Sequence, residues 1–286
     1  MEVWPVHILN GLSFGLILFL IASGLSLILG TMGILNLAHG AFYMLGAYFG
    51  LTMIAFGLNF WLAALVGGIF AALVGLVMER GFLRYLYKMF NEQVLITFGF
   101  LYIFTNVALW VWGPWPKMGN PPDFLSGSIG LGQFAFPVYR IALIILGLII
   151  AGGLYWFQEK TRYGAIIRAG MDDKEMTTGL GINYALTCSA VFILGIFIAG
   201  LAGSIGSPVL GAYLGAGMDT LTLAMIVVVV GGMGTVQGTL LGALVIGLVD
   251  TLGKALFPEL AMFTVYLAMV IMLVVKPSGL LGRKVS

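Results

Sequence analysis

Long apolar runs separated by short polar connections dominate the sequence, and most runs are close to the length of one membrane span. A helix of about 20 predominantly apolar residues crosses the hydrocarbon core of a bilayer. Because a backbone in lipid must satisfy its own hydrogen bonds, such runs are read as helices. The pattern predicts an all-α, polytopic transmembrane helix bundle of eight or nine spans, from runs at residues 8–29, 39–57, 60–78, 93–112, 139–157, 184–204, 219–233, 237–253 and 260–276.

Two places in the pattern indicate re-entrant or broken segments. The run at 219–233 is short for a span, and the stretch from Gly30 to His39 interrupts the apolar pattern at a depth where a half-helix could begin. Eight crossings require one run to dip into the membrane and return, whereas nine do not. The pattern leaves both counts open.

Composition excludes a soluble protein. Hydrophobic residues make up 61% of the chain and charged residues only 8%, against about 25% charged in soluble domains. No polar stretch is long enough for a second domain, so we expect one transmembrane domain over residues 1–286. The single cysteine, Cys188, allows no internal disulfide. Because no basic segment precedes the first apolar run, we expect that run to be retained as a span.

The distribution of lysine and arginine predicts the orientation, because cytoplasmic connections are enriched in both. If the connection between the third and fourth runs, the one between the fifth and sixth and the segment after the last run are cytoplasmic, ten of the thirteen Lys and Arg residues lie inside. Lys117, Arg140 and Lys254 are left outside. With nine crossings the N-terminus then lies outside. The ten are Arg80, Arg84, Lys88, Lys160, Arg162, Arg168, Lys174, Lys276, Arg283 and Lys284.

Charge is concentrated in one connection. Eight of the 24 charged residues fall within the 17 positions from Glu159 to Glu175. The pattern predicts one short helix of mixed charge over residues 164–179. Its spacings permit pairs of opposite charge along one helix face. A solvated loop is one interpretation. A helix that docks on a partner is the other, and it explains why the connection is longer than two spans require.

The segment around His39 carries polar groups at membrane depth. In a helix, Asn36, His39 and Tyr43 share one face. Such groups usually face a bundle interior or a wet cavity, although His39 could equally bond a backbone carbonyl and lock two helices together. The only other histidine is His7, and no cysteine or acidic cluster lies near His39, so the sequence favours neither a metal site nor a nucleophile with its base.

Glycine is abundant, at 42 residues, and recurs at four-residue spacing in pairs such as Gly11–Gly15 and Gly46–Gly50. Such spacing indicates close helix packing in lipid. The run from Gly231 to Gly238 lacks the Gly-Lys-Ser/Thr ending of a phosphate-binding loop, so we interpret it as a turn between two membrane segments.

Two acidic residues in apolar surroundings have ordinary interpretations. Asp219 precedes Thr220 and resembles a helix N-cap, and Asp250 has Lys254 four residues on, where a local pair can form. A proton relay would need further buried carboxylates, and no third one lies within a predicted span.

Three motifs in order resemble one family, the bacterial branched-chain amino acid ABC transporter permeases, and more closely the shorter of the two permease types that pair in these transporters. The resemblance covers nearly the whole chain. Its motifs are residues 24–40 (GLSLILGTMGILNLAHG) with the continuation 43–48, the charged segment with Arg162-Tyr163-Gly164, Arg168-Ala169, Asp173-Lys174-Glu175 and Gly181-Ile182-Asn183, and residues 231–238 (GGMGTVQG).

The resemblance implies one membrane subunit of an importer that works by alternating access in a bacterial inner membrane. Its implied partners are a second permease subunit, in a hetero- or homodimer, two cytoplasmic ATPase subunits, and a periplasmic or extracellular substrate-binding protein. It implies no enzyme activity, no cofactor or metal on this chain and no nucleic acid partner; ATP would be bound and hydrolysed on the ATPase subunits. The implied substrates are leucine, isoleucine and valine, or a related small solute such as urea, an amide or another amino acid.

We assign candidate site residues on the same basis. The coupling segment is about 158–183, and its residues expected to contact an ATPase are Arg162, Arg168, Asp173, Glu175 and Gly181. The residues expected along the translocation path are Asn36, His39, Gly40, Tyr43, Gly231, Gly232 and Gly234.

Three rival functions fit the residues less well. An ion-coupled secondary transporter would need more intramembrane carboxylates, and a membrane-embedded enzyme would need polar groups clustered at one depth. A passive channel suits the apolar, glycine-rich path but gives the charged segment no task.

Overall fold

Eleven α-helices lie within the described residues, and nine of them follow the apolar runs of the sequence. The structure is a computed structural model that describes residues 4–87, 89–131 and 134–281. The helices within these residues are α1 (Trp4–Met32), α2 (His39–Ala55), α3 (Phe60–Gly81), α4 (Phe90–Trp112), α5 (Val138–Lys160), α6 (Arg162–Asp172), α7 (Lys174–Gly179), α8 (Tyr184–Leu210), α9 (Ala216–Gly231), α10 (Val236–Leu256) and α11 (Ala261–Val275).

Strand is confined to one small hairpin in the described residues, between α4 and α5. Its strands are β1 (Ser128–Leu131) and β2 (Phe134–Pro137), which pair antiparallel with Ser128 opposite Pro137. Short 3-10 turns lie at Leu83–Leu86, Asp123–Leu125 and Pro258–Leu260. The protein is an all-α bundle, as predicted.

Contacts between helix ends define two faces of the bundle. At one face the end of α3 meets the beginning of α8, where Ser189 donates a hydrogen bond to Glu79 at 2.8 Å. At the opposite face the end of α4 meets the end of α2, where the Trp112 indole donates to Thr52 at 2.7 Å. We call the first the basic face, because seven of the ten Lys and Arg among the described residues lie in or beside its connections: Arg80, Arg84, Lys160, Arg162, Arg168, Lys174 and Lys276.

The described chain passes between the two faces nine times and begins at the face opposite the basic one. Seven segments are long and apolar enough to span a membrane alone, namely α1, α3, α4, α5, α8, α10 and Pro258–Val275. The helices α2 and α9 have 17 and 16 residues, and each is preceded by non-helical chain that covers the rest of its passage. The count agrees with the nine-span alternative. Three residues of the predicted orientation, Lys88, Arg283 and Lys284, lie outside the described residues.

Glycine residues allow the backbones of the interior helices α1, α2, α8 and α10 to contact one another directly. A Cβ on Gly46 would lie 2.2 Å from the carbonyl oxygen of Gly200, and one on Gly15 would lie 2.7 Å from that of Ala243. Apolar burial cannot drive helices together in lipid, whereas such close contact can. The predicted packing role of the Gly11–Gly15 and Gly46–Gly50 pairs is confirmed.

The outer helices leave broad apolar faces uncovered. Side chains such as Trp110 on α4 and Met262 on α11 are 91% and 82% exposed. In water such patches would be unfavourable. In a bilayer they contact lipid, so their exposure agrees with the membrane environment that composition predicted.

One predicted helix boundary is wrong. The helix α9 begins at Ala216, after Gly215, so Asp219 lies inside its first turn and is not the N-cap. The Asp219 carboxylate instead accepts a hydrogen bond from the Tyr213 hydroxyl at 2.8 Å. The apolar run begins only at residue 219, whereas the helix begins three residues earlier, at Ala216, and includes Gly217.

Candidate functional site

The chain between α1 and α2 is a break at membrane depth, as predicted. Gly33 has a φ of +65° and turns the chain away from α1. The Leu37 amide then donates to the Thr97 hydroxyl of α4 at 3.2 Å, and the Ala38 amide donates to the Asn36 side-chain oxygen at 3.0 Å. Non-helical backbone is tolerated in a membrane only where protein or water satisfies it, and here side chains satisfy it.

His39 locks α2 against α1. Its side chain is fully buried, and Nε2 lies 3.0 Å from the carbonyl oxygen of Ile21. This contact confirms the interpretation that His39 bonds a backbone carbonyl and ties two helices together. The other ring nitrogen, Nδ1, has no hydrogen-bond partner among the described residues.

Several other buried polar atoms of α1, the break and α2 share this property. The side-chain nitrogen of Asn36 and the hydroxyl groups of Thr31, Tyr43 and Tyr48 also lack partners in the described part of the chain. Buried polar groups are normally paired because leaving them unpaired costs about 1–3 kcal/mol each. At the break itself, the Asn36 side-chain nitrogen and His39 Nδ1 are therefore available to a polar solute or to water.

Two helix beginnings meet at Gly40. A Cβ on Gly40 would lie 1.9 Å from the carbonyl oxygen of Gly217, near the beginning of α9. From this contact α2 runs to one face and α9 to the other, so the pair resembles the broken helices that form solute sites in many transporters.

The second group of predicted path residues lies at the far end of α9. Gly231 ends that helix, and Gly232 and Gly234 form the turn before α10 with φ values of +100° and +79°. From residue 217 to residue 231, α9 rises roughly 21 Å. The structure therefore confirms the turn between two membrane segments, but it does not bring these glycines close to Gly40.

The glycine turn is attached to the end of α5 and to α6. Gln158 donates to the carbonyl oxygen of Gly234 at 2.7 Å and accepts from the Val236 amide at 3.0 Å. A Cβ on Gly234 would lie 2.3 Å from the terminal methyl of Met171, and one on Gly30 would lie 3.0 Å from it. The Met171 side chain thus contacts both α1 and the glycine turn.

The predicted coupling segment contains two short helices and not one. The helices α6 and α7 are separated at Asp173, whose backbone is extended and whose carboxylate caps α7 by accepting from the Met176 amide at 2.9 Å. The capping preference of aspartate outweighs helix continuity here. The prediction of a single helix over 164–179 is therefore wrong, because the helix is interrupted at Asp173.

The five predicted contact residues of this segment are placed differently from one another. Arg168 turns inward, donating to the carbonyl oxygen of Gln158 and lying 3.5 Å from the Glu159 carboxylate. Asp173 is the cap just described. Arg162, Glu175 and Gly181 are exposed at the basic face, and Gly181 has a φ of +82° in the turn before α8.

A second attachment joins the end of the segment to α1. The Tyr184 hydroxyl donates to the carbonyl oxygen of Thr31 at 2.6 Å. The Tyr184 ring lies against Gly170, where a Cβ would come within 1.8 Å of a ring carbon. Gly170 is therefore required by close contact with Tyr184.

Sequence reasoning missed four residues of this region, namely Gln158, Met171, Tyr184 and Glu79. The first three are ordinary residue types whose partners are distant in sequence. Glu79 lies one residue beyond the predicted run, yet α3 extends to Gly81 and buries it completely. It accepts hydrogen bonds from Ser189 and Tyr87, and burial together with that bond raises the pKa of the Tyr87 hydroxyl.

Replacing Gln158 by leucine is expected to lower the stability of the folded protein. The change leaves the Gly234 carbonyl and the Val236 amide without their side-chain partner, at a cost of about 1–3 kcal/mol for each buried group. Thermal unfolding in detergent measures the effect. The exposed neighbour Gln237 provides the control, because Gln237→Leu removes no such bond; equal melting temperatures for both variants would contradict the attachment.

Comparison with known proteins identifies the family. The sequence pattern of the branched-chain amino acid transport system permease component family matches residues 7–275. The chain is 28% identical to the high-affinity branched-chain amino acid transport system permease protein BraD of Pseudomonas aeruginosa, covering 97% of this chain and 95% of that protein.

Two relatives from Escherichia coli bear related names. The permease protein LivH is 29% identical, with 96% of this chain and 94% of LivH covered. The permease protein LivM is 23% identical, with 97% of this chain and 72% of LivM covered. No solved structure matches the chain. The bundle of nine passages, the broken helices and the match over nearly its whole length lead to one conclusion: the chain belongs to the family of branched-chain amino acid transport permeases.

Proposed function

We propose that this permease carries branched-chain amino acids inward as one membrane subunit of an ATP-driven importer. The basic face is cytoplasmic in this proposal, in a bacterial inner membrane, and residues 1–286 act as a single permease domain. The chain itself hydrolyses no ATP and binds no cofactor. Two ATPase subunits would supply the energy and a second permease the other half of the pore.

The observation that carries the proposal is the two-sided arrangement of the segment 158–183. Its inner side is tied to the membrane helices by Gln158, Met171 and Tyr184. Its outer side lies on the basic face. A force applied to this segment would reach α1 and the α9–α10 turn directly, as a coupling element requires.

The outer side has the composition of a docking surface. Tyr163, Met176 and Leu180 are 69%, 66% and 75% exposed among the exposed charges of Arg162 and Glu175. Large apolar side chains held in water at the basic face, rimmed by charge, are typical of a protein interface. The predicted contacts of Arg168 and Asp173 then become indirect, since both residues hold the segment in shape.

The proposed path begins in the break beside α2. Asn36, His39 and Tyr43 supply its polar groups. The contact that would open is the one between Gly40 and Gly217. All of these residues are buried, which fits a closed conformation; solute would pass when the beginnings of α2 and α9 separate. Gly231, Gly232 and Gly234 would bend at the cytoplasmic end of the path.

The remaining partners follow from the same proposal. A binding protein would deliver substrate at the face opposite the basic one, where the connection between α4 and α5 lies. The second permease and lipid would share the exposed apolar faces of the outer helices.

Purification of the tagged chain from its native host in mild detergent tests the proposal. We expect two ATPase subunits and a second permease to accompany it. Met176→Glu is expected to reduce ATPase recovery at least tenfold, because a carboxylate would be buried in the interface at a cost of several kcal/mol, while the second permease remains bound.

Two variants complete this experiment. Met262→Glu, on the lipid-facing side of α11, should lose membrane insertion or the second permease and not the ATPase specifically. Arg168→Glu should lower ATPase recovery through a distorted segment, and thermal unfolding would reveal the distortion. Recovery of this chain alone, under conditions that keep a known importer whole, would overturn the proposal in favour of an ion-coupled carrier or a channel.

A further inference from the structure

A charged recess opens on the face opposite the basic one, away from the coupling segment. It lies between α1, α5, α8 and α10 and has a volume of about 390 Å³. Sites for small molecules are clefts of about 300–1,000 Å³ that combine apolar walls with a few polar groups. The recess is within that range, and nothing in the coupling mechanism uses it.

Charges of both signs line the recess. Asp250 is only 8% exposed, and its carboxylate pairs with the Lys254 ammonium at 2.7 Å, which confirms the local pair predicted from their spacing. The Lys254 ammonium also lies 5.7 Å from the centre of the Phe14 ring. Arg140 is half-buried on α5, where its guanidinium donates to the Asn10 side-chain oxygen.

The rest of the wall is apolar. Phe14, Val209, Leu210 and Ala255 contribute hydrocarbon to the same recess. An aliphatic side chain placed against them would remove apolar surface from water, which is favourable. The recess thus offers two cations, one carboxylate and an apolar wall within one small volume.

Next to the recess, α1 packs closely against α10. A Cβ on Gly11 would lie 2.9 Å from a Leu248 side-chain carbon, and one on Gly247 would lie 2.5 Å from the Gly11 carbonyl oxygen. No solute could continue between these helices without parting their backbones. The recess is therefore suited to holding a ligand and not to conducting it through this subunit.

We propose that this recess binds a free aliphatic α-amino acid at the outer face of the permease. The ligand's carboxylate lies between Arg140 and Lys254, its ammonium replaces that of Lys254 on Asp250, and its side chain lies against the apolar wall. A zwitterion brings one charge of each sign, so its ammonium pairs with Asp250 while its carboxylate is shared by Arg140 and Lys254. The inference rests on the proposed function for its substrate class, and it adds a site separate from the path near His39.

A small ligand fits these charges better than a docked protein does. A binding protein that contacts this face would reach exposed side-chain tips, whereas the Asp250 carboxylate is deep and its exposed neighbour Lys254 covers it. Charge-assisted hydrogen bonds are strongest where water is excluded. Depth therefore favours recognition of a single amino acid.

Ligand binding to the full-length chain in lipid nanodiscs tests the proposal. We would titrate leucine by calorimetry and compare it with 4-methylpentanoate, which lacks the ammonium, and with 3-methylbutylamine, which lacks the carboxylate. Leucine is expected to bind about tenfold or more tightly than either, the effect of one charged hydrogen bond.

Variants locate the binding. Asp250→Asn should lower leucine affinity to that of 4-methylpentanoate. Ala255→Phe should block binding by filling the recess while leaving every charge in place, and the exposure of Ala255 makes that variant compatible with folding. Lys117→Gln, on the same face and outside the recess, is the control and should bind leucine normally.

The outcomes separate this inference from the proposed function. Unchanged leucine binding in both recess variants, or no leucine binding at all, would overturn the inference even if the ATPase subunits co-purify. If the recess variants lower affinity for the substrate-binding protein and leave leucine binding unchanged, the recess is a docking surface and the inference is overturned. Loss of the ATPase subunits with recess binding intact would instead overturn the importer and leave the recess standing.

Discussion

Replacing Gly40 by alanine is expected to abolish transport and to reduce the yield of folded protein, although it adds only one methyl group. The new Cβ would lie 1.9 Å from the Gly217 carbonyl oxygen, and Cβ atoms essentially never come within 3.0 Å of another heavy atom. The obstacle is backbone, so no rotamer can relieve it. The beginnings of α2 and α9 would have to separate by at least about 1 Å.

Helix propensity acts in the opposite direction and is too small to compensate. Alanine is favoured over glycine by about 1 kcal/mol in a helix interior, and less near a helix start. Overpacking a tight contact costs about 1–3 kcal/mol and sometimes more. The separation would also displace His39, the neighbour of Gly40, from the Ile21 carbonyl that holds α2 on α1.

Gly152 provides a matched control. It lies within α5, is exposed, and has no heavy atom within 4 Å of the position of an added Cβ. Gly152→Ala should therefore leave uptake of leucine unchanged and raise the melting temperature slightly. If Gly40→Ala behaves in the same way in membranes of the same composition, the contact between the two helix beginnings is not needed for either folding or transport.

The architecture was predictable because it depends on properties that are local in the chain. Apolar length predicted nine runs, and the helices follow them within a few residues in most cases. The break at residues 33–38 was predictable from glycine and polar residues at membrane depth. The boundary of α9 was not, since a Gly-Ala-Gly sequence is compatible with loop and with helix until the contact with α2 stabilises the helix.

The candidate site was predictable only in part, for the same physical reason. His39 stood out because a lone histidine in an apolar run needs a partner, and it has one. Gln158 and Met171 gave no such signal: their importance comes from partners 76 and 63 positions away. The sequence could not reveal that Gly40 and Gly234 lie at opposite ends of α9, because the order of motifs along a chain does not give the distance between them in the fold.

The contacts of α9 at its two ends connect the surface proposed to dock an ATPase subunit with the contact proposed to open for the solute. Met171 contacts the end of α1 and the turn that ends α9, and α9 in turn meets α2 at Gly40. Movement of α6 would therefore act on one end of α9, while the contact that closes the proposed path lies at its other end. Because α9 is one continuous helix from Ala216 to Gly231, we expect a displacement of one end to move the other.

Met171→Ala is the sharpest test of that link, and it is expected to reduce ATP-dependent leucine uptake about tenfold while the ATPase subunits still co-purify. Truncating this half-buried methionine removes its packing and leaves a gap, here between α6, Gly30 and Gly234. The outward surface of the segment keeps Tyr163, Met176 and Leu180, so docking should persist. Uptake and ATP hydrolysis in proteoliposomes would then separate, with hydrolysis retained and transport lost.

Three comparisons decide whether the effect is coupling. Met171→Leu should restore most uptake, because leucine and methionine are close in volume and such exchanges usually cost less than about 1.5 kcal/mol. Met262→Ala, at a position 82% exposed on α11, should be neutral. Met176→Glu should show the reverse pattern, with ATPase recovery lost first. If Met171→Ala loses the ATPase subunits as completely as Met176→Glu does, Met171 holds the docking surface in shape and transmits nothing, and the route through α9 must be abandoned.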